Sequence, residues 1–279
     1  MRFKVTVSIV AYNQEINQLK VLIEEILKAQ NNITIFLIDN SPSNILEKYS
    51  IFPQIQYFHF PENLGFGAGH NYALKKAIEN GSKYHFIINP DISLESSTMD
   101  FLIDKISINP QIGMLMPQIL NFDNTIQYLP KFLPHPLHVI WRKVRFPREM
   151  YRSFIEKYEL QNLPKDANSF EVPVLSGCFL LLNLSVIKEV GFFDERFFMY
   201  FEDWDLSRRV HLKYKTILDT SVSVRHEYCS GANKSLKLFI IFIKSYIKYF
   251  NKWGWFVDVE RDAINNFCFK NIQNHLIKN

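Results

Sequence analysis

The sequence predicts an α/β fold in which helices cover both faces of a mostly parallel central sheet. Three observations predict it. Apolar runs too continuous for half-exposed strands alternate with segments of helical periodicity. Polar or acidic residues cluster just after those runs, at the edge where open parallel sheets bind ligands. The composition, 47% hydrophobic and 15% aromatic over 279 residues, supports a large core and excludes a disordered chain.

The elements follow in order. Residues 3–12 (FKVTVSIVAY) read as a first strand, and Ile16, Leu19, Leu22, Ile23, Ile26 and Leu27 give helical spacing over 15–29. Residues 33–38 (ITIFLI) form a second buried strand ending at Asp39-Asn40-Ser41-Pro42, and 55–60 a third. A Gly-rich turn leads to a helix over 69–79, then a fourth strand over 84–88. Residues 96–107 read as a helix and 112–120 as a strand. The segment 130–170 carries Pro130, Pro134, Pro136, Pro147 and Pro164 and a basic cluster, Arg142, Lys143, Arg145 and Arg148. It reads as a long, partly mobile excursion with one helix over 148–158. Order resumes at 172–183; a helix over 202–212, strands at 215–218 and 222–226, and an apolar, basic helix over 235–253 follow.

The formal charge of +4 is mild. It gives no argument for a nucleic-acid partner, and it suits an anionic membrane surface or a phosphate-bearing ligand. Cys178, Cys229 and Cys268 have neither zinc spacing nor the pattern of a disulfide framework, which points to a reducing compartment. Lys4, Thr6 and Ser8 interrupt any apolar signal core near the start, and no run reaches the roughly 18 apolar residues of a membrane span. A cytoplasmic protein is expected, with peripheral membrane contact open to it.

Four features bear on chemistry. In "HFIINPDIS" (85–93) a buried strand stops at Asn89-Pro90-Asp91. Turn chemistry alone explains such an ending, but Tyr12-Asn13 and Asp39-Asn40-Ser41 end two other strands, and a parallel sheet brings all three to one edge. In "ENLGFGAGHN" (62–71), Gly65, Gly67 and Gly69 precede a helix, where glycine allows close backbone approach and a helix N-terminus favours phosphate. The spacing and position are not those of a dinucleotide fingerprint, and a tight turn with helix packing is the alternative. In "FFDERFFMYFEDWDLSRRV" (192–210) five carboxylates, Asp194, Glu195, Glu202, Asp203 and Asp205, are interleaved with aromatics. Acids favour a first helical turn in any case, and Asp205 can pair with Arg208 or Arg209. Aromatic walls, however, desolvate a carboxylate and raise its basicity, as a general base requires. His226 stands at a strand end before a Ser-Gly turn.

Taken in order, "VSIVAYN" (7–13), "LIDNS" (37–41), "NLGFGAGHN" (63–71), "INPD" (88–91), "LSGCFLL" (175–181), "GFFDERFFMYFEDWDLSRR" (191–209), "RHEYCSGA" (225–232) and "YFNKWGW" (249–255) resemble the inverting glycosyltransferases of family 2. Within them the chain is similar to the bacterial rhamnosyltransferase-like group that builds surface polysaccharides. The likeness spans residues 5–255.

It implies a GT-A catalytic domain over 1–232, with a nucleotide half over 1–125, an acceptor and catalytic half over 170–232, and a helical tail over 233–279. It implies roles as well. Tyr12 and Asn13 would lie along the nucleotide, with Asp39 and Asn40 at base or ribose. Asn63, Gly65, Gly67 and Asn71 would shape that pocket. Asn89 and Asp91 would stand for the metal-binding D-x-D element, with Asp91 and His226 meeting Mg2+ or Mn2+ on the diphosphate. Ser176, Gly177 and the 192–200 stretch would line the sugar and acceptor site, Glu202 and Asp205 would bind substrate, and Asp203 would be the general base. Asn89 replaces an acid, which lowers the expected metal affinity.

The implied donor is dTDP-rhamnose or a UDP-hexose, and the acceptor a glycan on a polyprenyl diphosphate lipid. The tail, with Lys237, Lys244 and Lys248 on one face, could meet an anionic membrane or a second copy of the chain. Two other readings stay open. A sugar nucleotidyltransferase lacks support because no Gly-rich, basic loop follows the first strand. A catalytically degenerate scaffold is supported by Asn89 alone.

Overall fold

The computed structural model describes residues 3–30, 33–164, 167–227 and 235–277. Nine strands form one sheet in the order β3-β2-β1-β4-β8-β6-β9-β5, with β7 paired to β9. Four of them make a wholly parallel half: β1 (Val5–Ala11), β2 (Thr34–Asp39), β3 (Ile55–His59) and β4 (Tyr84–Ile88). The other half mixes directions. Strand β8 (Phe179–Asn183) runs antiparallel to both β4 and β6 (Ile112–Leu120), whereas β6 pairs parallel with β9 (Lys215–His226). Strands β5 (Ile92–Leu94) and β7 (Ser169–Glu171) run antiparallel to β9.

Helices α1 (Ile16–Ala29), α2 (Phe66–Glu79), α3 (Ser96–Ile108), α6 (Leu184–Val190) and α7 (Glu202–His211) pack against this sheet or against one another. Helix α1 buries Leu19, Leu22, Ile23 and Ile26, the stripe its periodicity predicts. Strand β1 is buried on both faces, so its polar Thr6 and Ser8 need partners inside the protein. Histidines supply them: Thr6 Oγ1 lies 2.7 Å from His85 Nδ1, His85 Nε2 2.8 Å from Ser8 Oγ, and Ser8 Oγ 2.7 Å from His70 Nδ1. Burial holds His70 and His85 neutral by pushing both far below the ordinary imidazole range, His85 to about 3.

Several elements differ from expectation. Residues 215–226 are one strand. The Asp219-Thr220-Ser221 interruption is absorbed as a register shift opposite Pro117 and Gln118, because pairing on both sides holds β9 extended. The excursion carries two helices, α4 (Pro136–Val144) and α5 (Arg148–Tyr158). Only α5 was expected. Trp141 stacks on Phe154 with ring centroids 4.7 Å apart, joining the pair. Strand β5, helix α6 and helix α9 (Val259–Ile277) had no counterpart in the sequence reading. The tail helix α8 (Leu236–Trp253) forms as expected and packs one face on α7 through Tyr246, Tyr249 and Phe250.

Candidate active site

The carboxyl ends of β1, β2 and β4 open on one edge, and hydrogen bonds link them. Asn40 N donates to Ala11 O at 2.8 Å, and Asn13 N to Ser41 Oγ at 2.8 Å. Asn13 itself takes φ 49°, a left-handed turn that asparagine tolerates and that leaves Tyr12 exposed. Asn40 Nδ2 reaches Gly65 O at 3.2 Å, and Gly65 N donates to Asn63 Oδ1 at 3.0 Å. Asn40 Oδ1 is buried and has no hydrogen-bond donor among the described residues.

The glycines divide by role. Gly65 has φ 87°, and a Cβ there would meet Phe198 O at 2.4 Å, so a side chain is excluded on both counts. Gly67 and Gly69 lie inside α2, which starts earlier than expected. A Cβ on Gly67 would sit 3.0 Å from Phe193 Cβ, and one on Gly69 3.0 Å from Val10 Cγ2. These two permit close packing and form no phosphate loop.

Asp91 stands where β4 ends and β5 begins. Register pairs Ile92 with His226, which brings His226 Nε2 to 3.3 Å from Asp91 Oδ1. The two atoms are not aligned for a hydrogen bond, so the buried Oδ1 lacks a donor among the described residues. His226 Nδ1 is held 3.0 Å from Gln127 Oε1, and Gln127 Nε2 donates to His226 O at 2.7 Å. Asn89 N donates to Cys178 O, tying this corner to the 175–178 turn. Among the described residues no group of three or more His, Cys, Asp or Glu could enclose a metal. An orphaned carboxylate oxygen beside an imidazole fits a divalent ion whose remaining ligands are phosphate and water. It does not fit an all-protein cage.

Asp203, in the first turn of α7, is the other pole. Its Oδ2 accepts from Gly177 N at 3.1 Å and its Oδ1 from Trp204 N at 2.9 Å. A Cβ on Gly177 would press on the Phe66 ring at 3.0 Å, so Gly177 is what lets that amide reach the carboxylate. Ser176, beside it, is part-buried in the same turn. Burial raises the Asp203 carboxyl above its ordinary range, opposed by the Gly177 amide and the Lys131 charge. Neighbouring Glu202 is buried, its Oε2 without a donor among the described residues. Burial first, and then the Asp203 charge, push Glu202 well above the ordinary carboxylate value.

Tyr200 and Phe201, just before α7, both take φ 69°, a left-handed conformation costing roughly 1–2 kcal/mol per residue. Burial of Phe201 among Trp204, Tyr246 and Tyr249 opposes that cost. Strain of this kind collects at functional sites.

Three expected substrate-facing residues have internal partners instead. Asp205 is fully buried: Trp253 Nε1 donates to Oδ1 at 2.8 Å, and Lys252 and Arg209 pair with it at 2.6 and 2.9 Å. It clamps α7 to the tail, which corrects the substrate-binding expectation. Asn71 is buried too. Its Nδ2 donates to Phe193 O, its Oδ1 accepts from Phe193 N, both at 2.9 Å, and it pins the 192–200 stretch to α2. Asp39 is closed to solvent, its carboxylate accepting from Ser41 N at 3.0 Å and Tyr57 OH at 2.9 Å.

Lys131 had no place in the sequence reading. Its backbone N donates to Val174 O at 3.2 Å, and its ammonium stands 5.5 Å from the Trp204 ring centroid. The residue is only 6% exposed, and burial lowers it to about 8, with Arg142 also lowering it and Glu159 and Asp203 opposing. Nothing in the "LPKFLPHP" context marks it, because its isolated bridge to Val174 forms only in the fold.

The 175–178 turn joins the two carboxylates of interest: Cys178 O accepts from Asn89 N beside the orphaned Asp91 oxygen, and Gly177 N donates to the desolvated Asp203, a pairing that suits group transfer with a bound anion and a base. Residues 6–191 match the family model for glycosyl transferase family 2, and the chain belongs to that family. It is 28% identical over 199 residues to an N-acetylglucosaminyl-diphospho-decaprenol L-rhamnosyltransferase of Mycobacterium tuberculosis, covering 66% of this chain and 60% of the relative. It is 23% identical over 176 residues to the low-salt glycan biosynthesis hexosyltransferase Agl10 of Haloferax volcanii, covering 62% of this chain and 52% of that one. The chain thus spans between half and two thirds of these relatives' lengths.

The fold is shared with a crystal structure of GalNAc-T7 with UDP, GalNAc and Mn2+ (TM-score 0.65, 15% identity, 90% of this chain and 48% of that one). It is shared too with S. aureus TarS 1-349 (TM-score 0.56, 14% identity, 86% and 65%). This is the GT-A arrangement expected from the sequence.

Proposed function

We propose that the chain is an inverting glycosyltransferase that moves a sugar from a nucleoside-diphosphate donor to a hydroxyl of a lipid-linked glycan. The pinned, desolvated Asp203 carboxylate, joined through the 175–178 turn to the corner that holds the orphaned Asp91 oxygen, is the observation that carries it. Asp203 takes the proton of the acceptor hydroxyl as its oxygen attacks the anomeric carbon, and the bond to the nucleoside diphosphate breaks on the opposite face. One displacement needs one base and inverts the anomeric centre. Burial makes Asp203 more basic than an exposed aspartate. The Gly177 and Trp204 amides hold both its oxygens and fix its direction.

A divalent ion, Mg2+ or Mn2+, bound through Asp91 and His226, would neutralise charge on the departing diphosphate. The relatives' names support a rhamnosyl or hexosyl donor and a polyprenyl-diphosphate-carried acceptor; the nucleotide in our reading is dTDP for rhamnose or UDP for a hexose. An enzyme using such an acceptor works at a membrane surface, on its cytoplasmic side if the donor is made there. Tyr12, Asn13, Asn40, Asn63 and Gly65 shape the nucleotide end, and Ser176 and Gly177 the sugar end.

Thermal unfolding with UDP, dTDP, GDP, ADP and NAD, each with and without Mn2+ or Mg2+, tests the reading. A ligand that binds only the folded chain raises the midpoint. A rise with UDP or dTDP that grows with metal is expected. No rise with any nucleotide in folded protein would move the case to a scaffold without catalysis.

A further inference from the structure

Helix α8 has two apolar faces. One packs on α7 through Tyr246, Tyr249 and Phe250. The other, Leu236, Phe239, Ile240, Ile243 and Ile247, is exposed at spacings of three and four residues, Leu236 at 75%. A water-facing helix surface is normally polar, and an apolar stripe of this length points to a covering partner.

Helix α4 lies beside α8. Val139 is buried with Tyr246 and Phe250, Tyr246 OH donates to Pro136 O at 3.4 Å, and the Lys143 ammonium sits 4.7 Å from the Phe242 ring centroid. Helix α4 also has a second apolar face, Leu137, Ile140 and Val144, continued by Phe146 at 71% exposure and by Met150. Cations accompany both stripes: Lys143, Arg145 and Arg148 around the α4–α5 turn, Lys237 and Lys244 on α8. No Asp or Glu occurs from 124 to 148 or from 235 to 257.

We propose that α4, the α4–α5 turn and the outer face of α8 together dock the protein on an anionic lipid surface, both apolar stripes dipping below a rim of Lys and Arg. Apolar burial plus attraction to anionic headgroups is the chemistry of helices that lie in a membrane interface. A second copy of the chain suits the face poorly, because a two-fold contact would oppose one acid-free basic surface with another. The face joins the catalytic helix through the cluster that holds Phe197 and Phe201, two residues from Asp203. A lipid-borne acceptor would therefore approach from the Asp203 side of the site. The proposal rests on the transferase reading for its purpose but not for its geometry.

The full chain is tested by co-sedimentation with vesicles of neutral phosphatidylcholine, alone or with phosphatidylglycerol, beside thermal unfolding with UDP and dTDP. Binding to the anionic vesicles is expected, at least about tenfold stronger than to neutral ones and weakened by salt. Ile140→Glu/Val144→Glu and Ile240→Glu/Ile243→Glu should each lose about tenfold, and Lys237→Glu/Lys244→Glu should erase the preference for anionic lipid. All three pairs lie on the exposed face and should keep the nucleotide-induced midpoint rise. Equal affinity for neutral vesicles, or an α4 variant that binds like the parent, would overturn the proposal. So would a dimer in sedimentation that the same variants dissociate without any vesicle binding. Vesicle binding without any nucleotide response would support the docking face and overturn the transferase reading.

Discussion

At the ends of β1, β2 and β4 the polar groups are held by neighbouring strands and turns. Around α7 they are held by side chains from the far end of the chain. Asp39 accepts from Ser41 N, two residues away, and from Tyr57 on the adjoining strand. The α7 acids sit in a frame set by the tail: Arg208 gives Asp258 two hydrogen bonds of 2.7 Å, Trp253 stacks on that guanidinium, and Lys252 and Trp253 bind Asp205. The first edge is tied mainly by nearby turns and adjoining strands, yet it leaves Asn40 Oδ1 and Asp91 Oδ1 without donors among the described residues. The second leaves Glu202 Oε2 without a donor among the described residues, buries the charges of Asp203 and Lys131, and depends on long-range packing to do so. A binding edge needs shape, whereas a basic carboxylate needs low polarity around it, which only remote segments can provide.

The sharpest way to break this contrast is Asp203→Asn. It should cost about 10³-fold in kcat/KM, the weight of a general base, while the nucleotide-induced rise in unfolding midpoint stays. Transfer assays with the donor whose nucleotide stabilises the protein check it; unchanged transfer would remove Asp203 from the chemistry.

Asp258→Ala leaves the buried Arg208 charge with only the longer, exposed contact to Glu260 at 3.4 Å and should destabilise the fold by about 3 kcal/mol. Urea unfolding measures this. A loss well below 1 kcal/mol would show that the tail does not brace α7. Truncating Tyr57 to Phe at the local edge should cost only about 1 kcal/mol, the weight of one hydrogen bond.

Lys131→Met removes a cation that favours the ionised form of Asp203. The base is active when deprotonated, so the acidic limb of the kcat/KM profile should move to higher pH, with activity falling on that limb and kept well above it. Lys131→Arg should restore the limb. Loss at every pH without displacement of the limb would make Lys131 a packing residue only.

Glu202→Gln is the mildest change. The folded state raises the Glu202 pKa, so it binds that proton more tightly than the unfolded chain does. The stability this gives is full below the unfolded pKa and is lost as pH rises towards the folded one. The amide has no such titration. The variant should gain in midpoint over the parent at pH 7–8 and gain little at pH 4. A parent-like pH dependence of the midpoint would count against a proton on Glu202.

The parallel half was legible because β1, β2 and β4 are continuous apolar runs closed by polar turns, and that pattern carries position as well as type. Asp91 and His226 were placed at strand ends correctly, but their meeting depends on the Ile92–His226 register, which no local signal encodes. The start of α2 was misplaced because glycines read as a loop, although Gly67 and Gly69 are helical where Phe193 and Val10 leave no room for a side chain. Helix α4 was hidden by its prolines, and α9 has no well-marked apolar stripe even though Arg261 and Cys268 are buried. Asp205 and Asn71 look like site residues by neighbourhood and turn out to be internal ties.

By itself, then, the sequence determined the sheet-edge architecture, the family and the identity of the acids, because backbone periodicity and short turns are local properties of the chain. Tertiary structure decided which acids are desolvated and raised in basicity and which is a clamp. Those differences arise from burial and from charges contributed by residues as remote in the chain as Lys131 is from Asp203, and no local pattern contains them.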